Sequence, residues 1–246
     1  MRVLAFDTAT GVTAVSLRDL EETGIAGGGA VDGALDLSLL DSPPPGARPG
    51  HAQRLLELVH ELLLDSGEGW DHVDRVAVGV GPGTFTGLRI GIATAQALAA
   101  SAGVELVGVS TLRSLALAAH DHEPESAKLA VIDARRGEAF VAGWSTDSSP
   151  LSAAPALAPS VLSPEQLARV AAGAGTRTIA VGDGALKFRD LLQSAGVEVP
   201  AEDSPLQIVC AREHCRIAML EQPAVDGRVE PQYLRVPDAE LAQRAG

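Results

Sequence analysis

Gly81-Pro82-Gly83-Thr84-Phe85-Thr86-Gly87-Leu88-Arg89 is the stretch of this chain with the most chemistry within reach. A β-branched run, Val76 to Val80, leads into it, and a helical pattern leads out of it to about Ser101. A glycine-rich turn that opens a helix can hold an anion, because the first helical amides lack partners and the dipole favours negative charge. The same glycines can instead supply positive φ for a tight turn, with Thr84 or Thr86 as the helix N-cap. The Lys-Ser/Thr pair that ends a phosphate loop is missing, and the spacing is not G-x-G-x-x-G. Nucleotide binding therefore does not follow from the glycines. The other group that could meet an anion is Asp7-Thr8-Ala9-Thr10, at the end of the first apolar run. Asp7, Thr8, Gly83 and Thr84 are the candidate nucleotide or anion contacts. Set against them is a purely structural role, in which Asp7 and Thr10 brace a hairpin through nearby backbone amides.

Other chemistry is thinly represented. His120 and His122 are two apart and His51 and His60 nine apart, and neither spacing makes a metal site. No G-x-S-x-G elbow appears, and no nucleophile, base and orienting acid can be grouped. Asp133, Arg135, Arg136 and Glu138 form a charged turn, read either as a salt-bridged hairpin or as an arginine reaching for a partner. Cys210 and Cys215 are five apart in a helical pattern, on different faces, so two buried thiols are expected rather than a local disulfide.

The elements that must position these groups follow from periodicity. Arg2 to Asp7 and Val12 to Leu17 read as a hairpin, and Leu35 to Leu40 alternates as a third strand. Around that third strand, Gly27-Gly28-Gly29 and Pro43-Pro44-Pro45 punctuate residues 19–50. His51 to Asp65 is a helix with apolar residues at 52, 55, 56, 58, 59, 62, 63 and 64, wider than one stripe. Arg75 to Val80 is a strand, Thr86 to Ser101 a helix rich in Gly and Ala, and Val104 to Val109 a strand. Ser110 or Thr111 caps a short helix to about Ala119, and 121–125 reads as a linker. A second hairpin follows, Lys128 to Asp133 and Glu138 to Trp144. Residues 148–160 carry no clear signal. Ser163-Pro164-Glu165-Gln166 is a helix start. Thr178 to Val181 is a strand, and Ala185 to Ser194 and Pro205 to Leu220 are helices. From Pro223 an extended tail should fold back, anchored by Tyr233.

The chain has 246 residues, 46% of them hydrophobic and only 3% aromatic, so its core must be aliphatic. A formal net charge of −13 argues against direct docking on a phosphate backbone. Neither a basic-then-apolar leader nor a membrane-length apolar run is present, as expected of a soluble cytoplasmic protein.

The glycine segment with its continuation Ile90-Gly91 resembles the hallmark of the TsaB (YeaZ) family. Four further segments fit that family in order: Leu4 to Thr10, His51 to Leu56, Ile132 to Glu138 and Pro231 to Arg235. The resemblance implies an α/β fold of two tandem ribonuclease H-like (actin-like ATPase) units, residues 1–110 and 111–246. It implies a non-catalytic subunit needed for threonylcarbamoyl transfer to adenosine 37 of tRNAs reading codons that start with A. The partner would be a TsaD-type catalytic subunit, with a TsaE-type ATPase in the complex, tRNA met only indirectly, and a homodimer as an alternative pairing. No metal or cofactor is implied for this chain alone, with ATP expected in the partner complex. The resemblance places the contact on the helices at 51–65 and 86–101, through His51, Arg54, Leu55, Leu58, Leu62, Phe85, Leu88, Arg89, Ile92, Ala93 and Gln96. The competing reading is a nucleotide-binding actin-like enzyme or a peptidase. Against it, Asp7 lacks the glycine that follows in catalytic relatives, and no H-x-x-x-H pair exists.

Overall fold

Alternating small and branched apolar residues build the first strands, and each face of the alternation is covered by helices. A computed structural model describes residues 1–21, 35–44 and 47–235; the Gly27-Gly28-Gly29 run, Pro45 and the last residues of the tail lie outside them. The first sheet contains β1 (Arg2–Asp7), β2 (Thr13–Asp19), β3 (Asp36–Asp41), β4 (Arg75–Gly81) and β5 (Glu105–Ser110) in the order β3-β2-β1-β4-β5. The β1–β2 and β2–β3 pairs are antiparallel, and β1–β4 and β4–β5 are parallel. The second sheet contains β6 (Ala127–Asp133), β7 (Ala139–Trp144), β8 (Leu157–Leu162) and β9 (Thr178–Val181) in the order β8-β7-β6-β9. Its pairings repeat those of the first four strands: two antiparallel, then one parallel to the first strand of the unit. This repeated order is that of two ribonuclease H-like α/β units.

Period-two alternation assigns each side chain of β1 to a layer. Leu4 and Phe6 point to one face with Val15, Leu17, Val76 and Val78, under α1 (His51–Asp65) and α2 (Phe85–Ala102). Val3 and Ala5 point to the other, under α7 (Ala211–Leu220) through Ala211, Cys215, Ile217 and Ala218. In the second sheet, Ala130, Ile132 and Trp144 meet α3 (Thr111–His122). Leu129, Val131 and Val141 meet α4 (Pro164–Ala172), α5 (Asp183–Lys187) and α6 (Arg189–Ser194). The helices α3 and α7 thus lie against each other between the two sheets.

Several expectations need adjusting. The stretch read as one helix over 185–194 is two, joined at Phe188. The stretch read as a helix from Pro205 begins as a 3-10 turn, Pro205–Gln207, and becomes α-helical only at Ala211, with Cys210 at its N-cap. The linker is shorter than read, because α3 runs on to His122. Part of the unassigned 148–160 region is β8, whose Pro159 and mixed polarity hide the alternation. The helix at Ser163 starts with a full capping box to Gln166. Cys215 is buried and Cys210 half-buried, and both are free thiols.

Candidate functional site

At the end of β1 the backbone turns through Thr8 and Ala9, and this turn sits on the glycine segment. The Ala9 carbonyl accepts from the Thr84 amide at 2.7 Å, and the Thr8 hydroxyl donates to the Gly87 carbonyl at 2.7 Å. The glycines are what permit this seat. A Cβ on Gly83 would lie 2.6 Å from the Ala9 Cβ, and one on Gly87 2.6 Å from the Thr84 hydroxyl and still nearer the Thr8 carbonyl. Thr84 holds the N-cap position of α2 without a side-chain bond. A protein carbonyl therefore takes the amide that an anion would use at a helix start. The Gly87→Ala variant should lose about 1–3 kcal/mol of stability through overpacking. Chemical denaturation measures it, and a wild-type midpoint would mean that the turn is not held by close approach.

Asp7 is buried beneath the same turn and accepts three hydrogen bonds. They come from the Ala9 amide at 2.6 Å, the Thr111 hydroxyl at 2.8 Å and His214 Nε2 at 3.0 Å. Burial works to raise its pKa, but His214, the Ala9 amide and Thr111 together hold the carboxyl below the ordinary carboxylate value. Gly79 makes room for this carboxylate, since a Cβ there would stand 2.5 Å from Asp7 Cγ. The expected local bracing is thus real, but two of the three partners come from α3 and α7. His214 is the residue that sequence reasoning missed. Asp7, Thr8, Gly83 and Thr84 do come together, engaged with one another and with the chain rather than lining an open cradle.

His51 reinforces the other side of the turn. Its Nε2 donates to the Thr10 carbonyl at 3.1 Å, so Nδ1, 2.8 Å from the Thr13 hydroxyl, is the acceptor of the neutral ring. Burial pushes the imidazole below its usual pKa.

The outer faces of α1 and α2 form the second candidate site. The residues of α1 that fill the core are Leu55, Leu58, Val59, Leu62 and Leu63. Ala52, Leu56, His60 and Leu64 fall on a stripe beside the buried one and are exposed, Leu56 by 52% and Leu64 by 65%. On α2, Gly87, Gly91, Ala95 and Ala99 face inward, while Phe85, Arg89, Ala93, Ala97 and Ala100 face outward. Two neighbouring helices therefore present leucines, a phenylalanine and a run of alanines to solvent.

A family model described as "TsaD: tRNA N6-adenosine threonylcarbamoyltransferase" matches residues 43–214. The tRNA threonylcarbamoyladenosine biosynthesis protein TsaB of Escherichia coli is 33% identical over 242 residues, covering 96% of this chain and 95% of its own. The protein of the same name from Haemophilus influenzae is 41% identical over 95 residues, 38% of this chain and 40% of its own. The solved structure of YeaZ from Pseudomonas aeruginosa superposes with a TM-score of 0.71 at 28% identity, covering 95% of this chain and 99% of that one. The chain belongs to the TsaB family.

Set beside a TsaB-type reading, the contact residues expected from sequence divide cleanly. His51, Leu55, Leu58, Leu62, Leu88 and Ile92 are buried in the chain's own first unit. Apolar residues and a histidine on a two-sided helix look alike in sequence until packing sorts them. Arg54 stays at the surface, paired with Glu57 and 3.5 Å from Asp41. Gln96 is half-buried and donates to the Val229 carbonyl of the tail at 3.0 Å. Phe85, Arg89 and Ala93 remain exposed. Leu56, Leu64 and Ala97 are exposed as well, and the 3.6-residue period separates 56 and 64 from the stripe at 55, 58, 59, 62 and 63.

The charged turn of this TsaB-family chain is an ion-paired hairpin. Asp133 accepts from Lys187 at 2.6 Å and pairs with Arg135 at 3.3 Å, and Glu138 pairs with Arg235 of the tail. Arg135, Arg136 and Gly137 all have positive φ. Among the described residues, no helix is long and apolar enough to cross a membrane.

Proposed function

We propose that this chain is the non-catalytic subunit in tRNA threonylcarbamoyladenosine biosynthesis, docking through α1 and α2 on a TsaD-type catalytic subunit. The observation that carries the reading is the two-helix face, with Leu56 and Leu64 exposed on α1 and Phe85, Ala93 and Ala97 exposed on the neighbouring α2. Exposed apolar area gathered on adjacent helices marks an interaction site better than scattered residues do. Small residues let a facing helix come near. The TsaB relatives carry the pathway in their name, and the TsaD family model matches from α1 through the second sheet, which suits a partner of the same build. In this reading the chain divides into a unit on residues 1–110 and one on 111–246, with α7 returning to the first sheet. The TsaE-type ATPase and tRNA are met through the catalytic subunit, the second in keeping with the −13 charge. A homodimer on the same face is the form taken without the partner, and the cytoplasm is the compartment.

The same reading gives the chain no turnover of its own. Asp7 is spent on Thr111 and His214, and Ala9 covers the start of α2. The purified chain should show no ATP hydrolysis above background without its partner. Turnover on the order of one per second, lost in Asp7→Asn, would make it an enzyme and sink the reading. Co-purification with the TsaD-type subunit, followed by tRNA modification with and without this chain, is the direct test.

A further inference from the structure

Two of the few aromatic residues of this chain, four Phe, two Trp and one Tyr, meet at the surface rather than in the core. Phe85, in the first turn of α2, stacks on Tyr233 of the tail with ring centroids 5.4 Å apart. Both remain more than a third exposed, at 37% and 38%. The Arg89 guanidinium lies over the Phe85 ring at 4.0 Å, and its Nε donates to the Tyr233 hydroxyl at 3.4 Å. Arg89 bonds to no carboxylate among the described residues, in a chain with 32 Asp and Glu against 19 Lys and Arg. The other cation of this face, Arg54, is already paired with Glu57.

The tail that supplies Tyr233 is firmly seated. The Ala224 amide donates to the Leu106 carbonyl of the edge strand at 2.8 Å, and the Gln232 amide to the Val80 carbonyl at 2.7 Å. Beyond Tyr233, Arg235 donates to the Ala134 carbonyl at 3.1 Å and pairs with Glu138 in the second unit. The stack is therefore a built feature, held from both sides.

We infer that Tyr233 is a positioning residue for Arg89, and that Arg89 is the fixed cation by which the α1/α2 face takes a carboxylate of its TsaD-type partner. The inference rests on the docking face proposed above. A guanidinium held over the Phe85 ring and tied at Nε to the Tyr233 hydroxyl keeps its two terminal nitrogens for a planar, two-pronged carboxylate, which a freely rotating lysine cannot do. The tail is thereby part of the docking surface, not a rival for it. Tyrosine and arginine are also the residue types that dominate the energy of protein interfaces.

The experiment measures the affinity of the full chain for the purified TsaD-type subunit across a salt series. Four variants are compared: Arg89→Ala, Arg89→Lys, Tyr233→Ala and Ala97→Trp. Arg89→Ala should weaken binding about tenfold at low salt and flatten the salt dependence, because the charge pair is gone. Arg89→Lys should recover part of the salt dependence but little of the affinity. Tyr233→Ala should fall about threefold short of the native chain while its circular dichroism and melting curve stay native. The inference is overturned if Arg89→Ala and Tyr233→Ala bind like the native chain with an unchanged salt slope while Ala97→Trp is blocked. If Ala97→Trp also binds normally, the docking face itself is misplaced, and the inference goes with it.

Discussion

Ala93→Trp and Ala97→Trp fold like the native chain and no longer co-purify with the TsaD-type subunit: this is the expected result with the largest effect on function. Both alanines are exposed on α2, one turn apart, so an indole there meets solvent in the isolated chain. In a docked pair of helices the same indole fills the space that small residues leave for the facing backbone. Overpacking within a core costs about 1–3 kcal/mol. At a rigid interface two or more turns long it also lifts neighbouring contacts apart, so the loss should exceed a hundredfold in affinity, or about 2.7 kcal/mol. Reconstituted tRNA modification should fall with it. The control is the melting curve, which should match the native one because nothing buried has changed. Normal co-purification of a folded variant would place the partner elsewhere and remove the main support for the proposed function.

Asp7→Ala should destabilise the chain by about 2–6 kcal/mol, since each of two buried donors left without its acceptor costs about 1–3 kcal/mol. The substitution strands His214 Nε2 and the Thr111 hydroxyl, both inside the protein, and opens a gap beside Gly79. Asp7→Asn keeps the shape and one acceptor oxygen, so it should cost less. The pH dependence has a definite sign. The folded carboxyl titrates below its unfolded value of about 3.9. Its contribution is then complete above that pH and is lost as pH falls through the folded value. Urea titrations at pH 7 and at pH 3 should accordingly show the native chain and Asp7→Ala drawing closer in acid. A gap that stays constant between the two would mean that the carboxylate charge contributes nothing to the clamp.

How much of this was legible in the sequence depends on the range of the interaction. His51–Asp65 declared its bounds through its own apolar pattern, and the first hairpin through two β-branched runs around a polar turn. Ser163 announced its helix because a capping box is complete within four residues. The Asp7 clamp had no such signal. Its partners stand 104 and 207 residues away, and a lone histidine in α7 looks like any other. The exposed two-helix face was half legible: the apolar residues of α1 were wider than one stripe, but which leucines face inward needed the sheet to be in place. The glycines were legible as a motif and not as a mechanism. Their reason is the Thr8–Ala9 backbone, which approaches them from nearly eighty residues earlier.

The return of α7 to the first sheet has a consequence for how the protein is made. Val3, Ala5, Ala77 and Val107 have their cover in Ala211, Cys215 and Ile217. A ribosome supplies those strands long before it supplies that helix. Until about residue 220 has emerged, that side of the nascent first sheet has only α3 against β4 and β5, β1 and β2 lack their helix, and Asp7 waits for His214. Chains are thought of as closing domain by domain from the N-terminus. Here α7, the last helix among the described residues, completes the first-made sheet, so a chain cut short before it would carry a partly bare apolar sheet into the cell and invite chaperones or proteases.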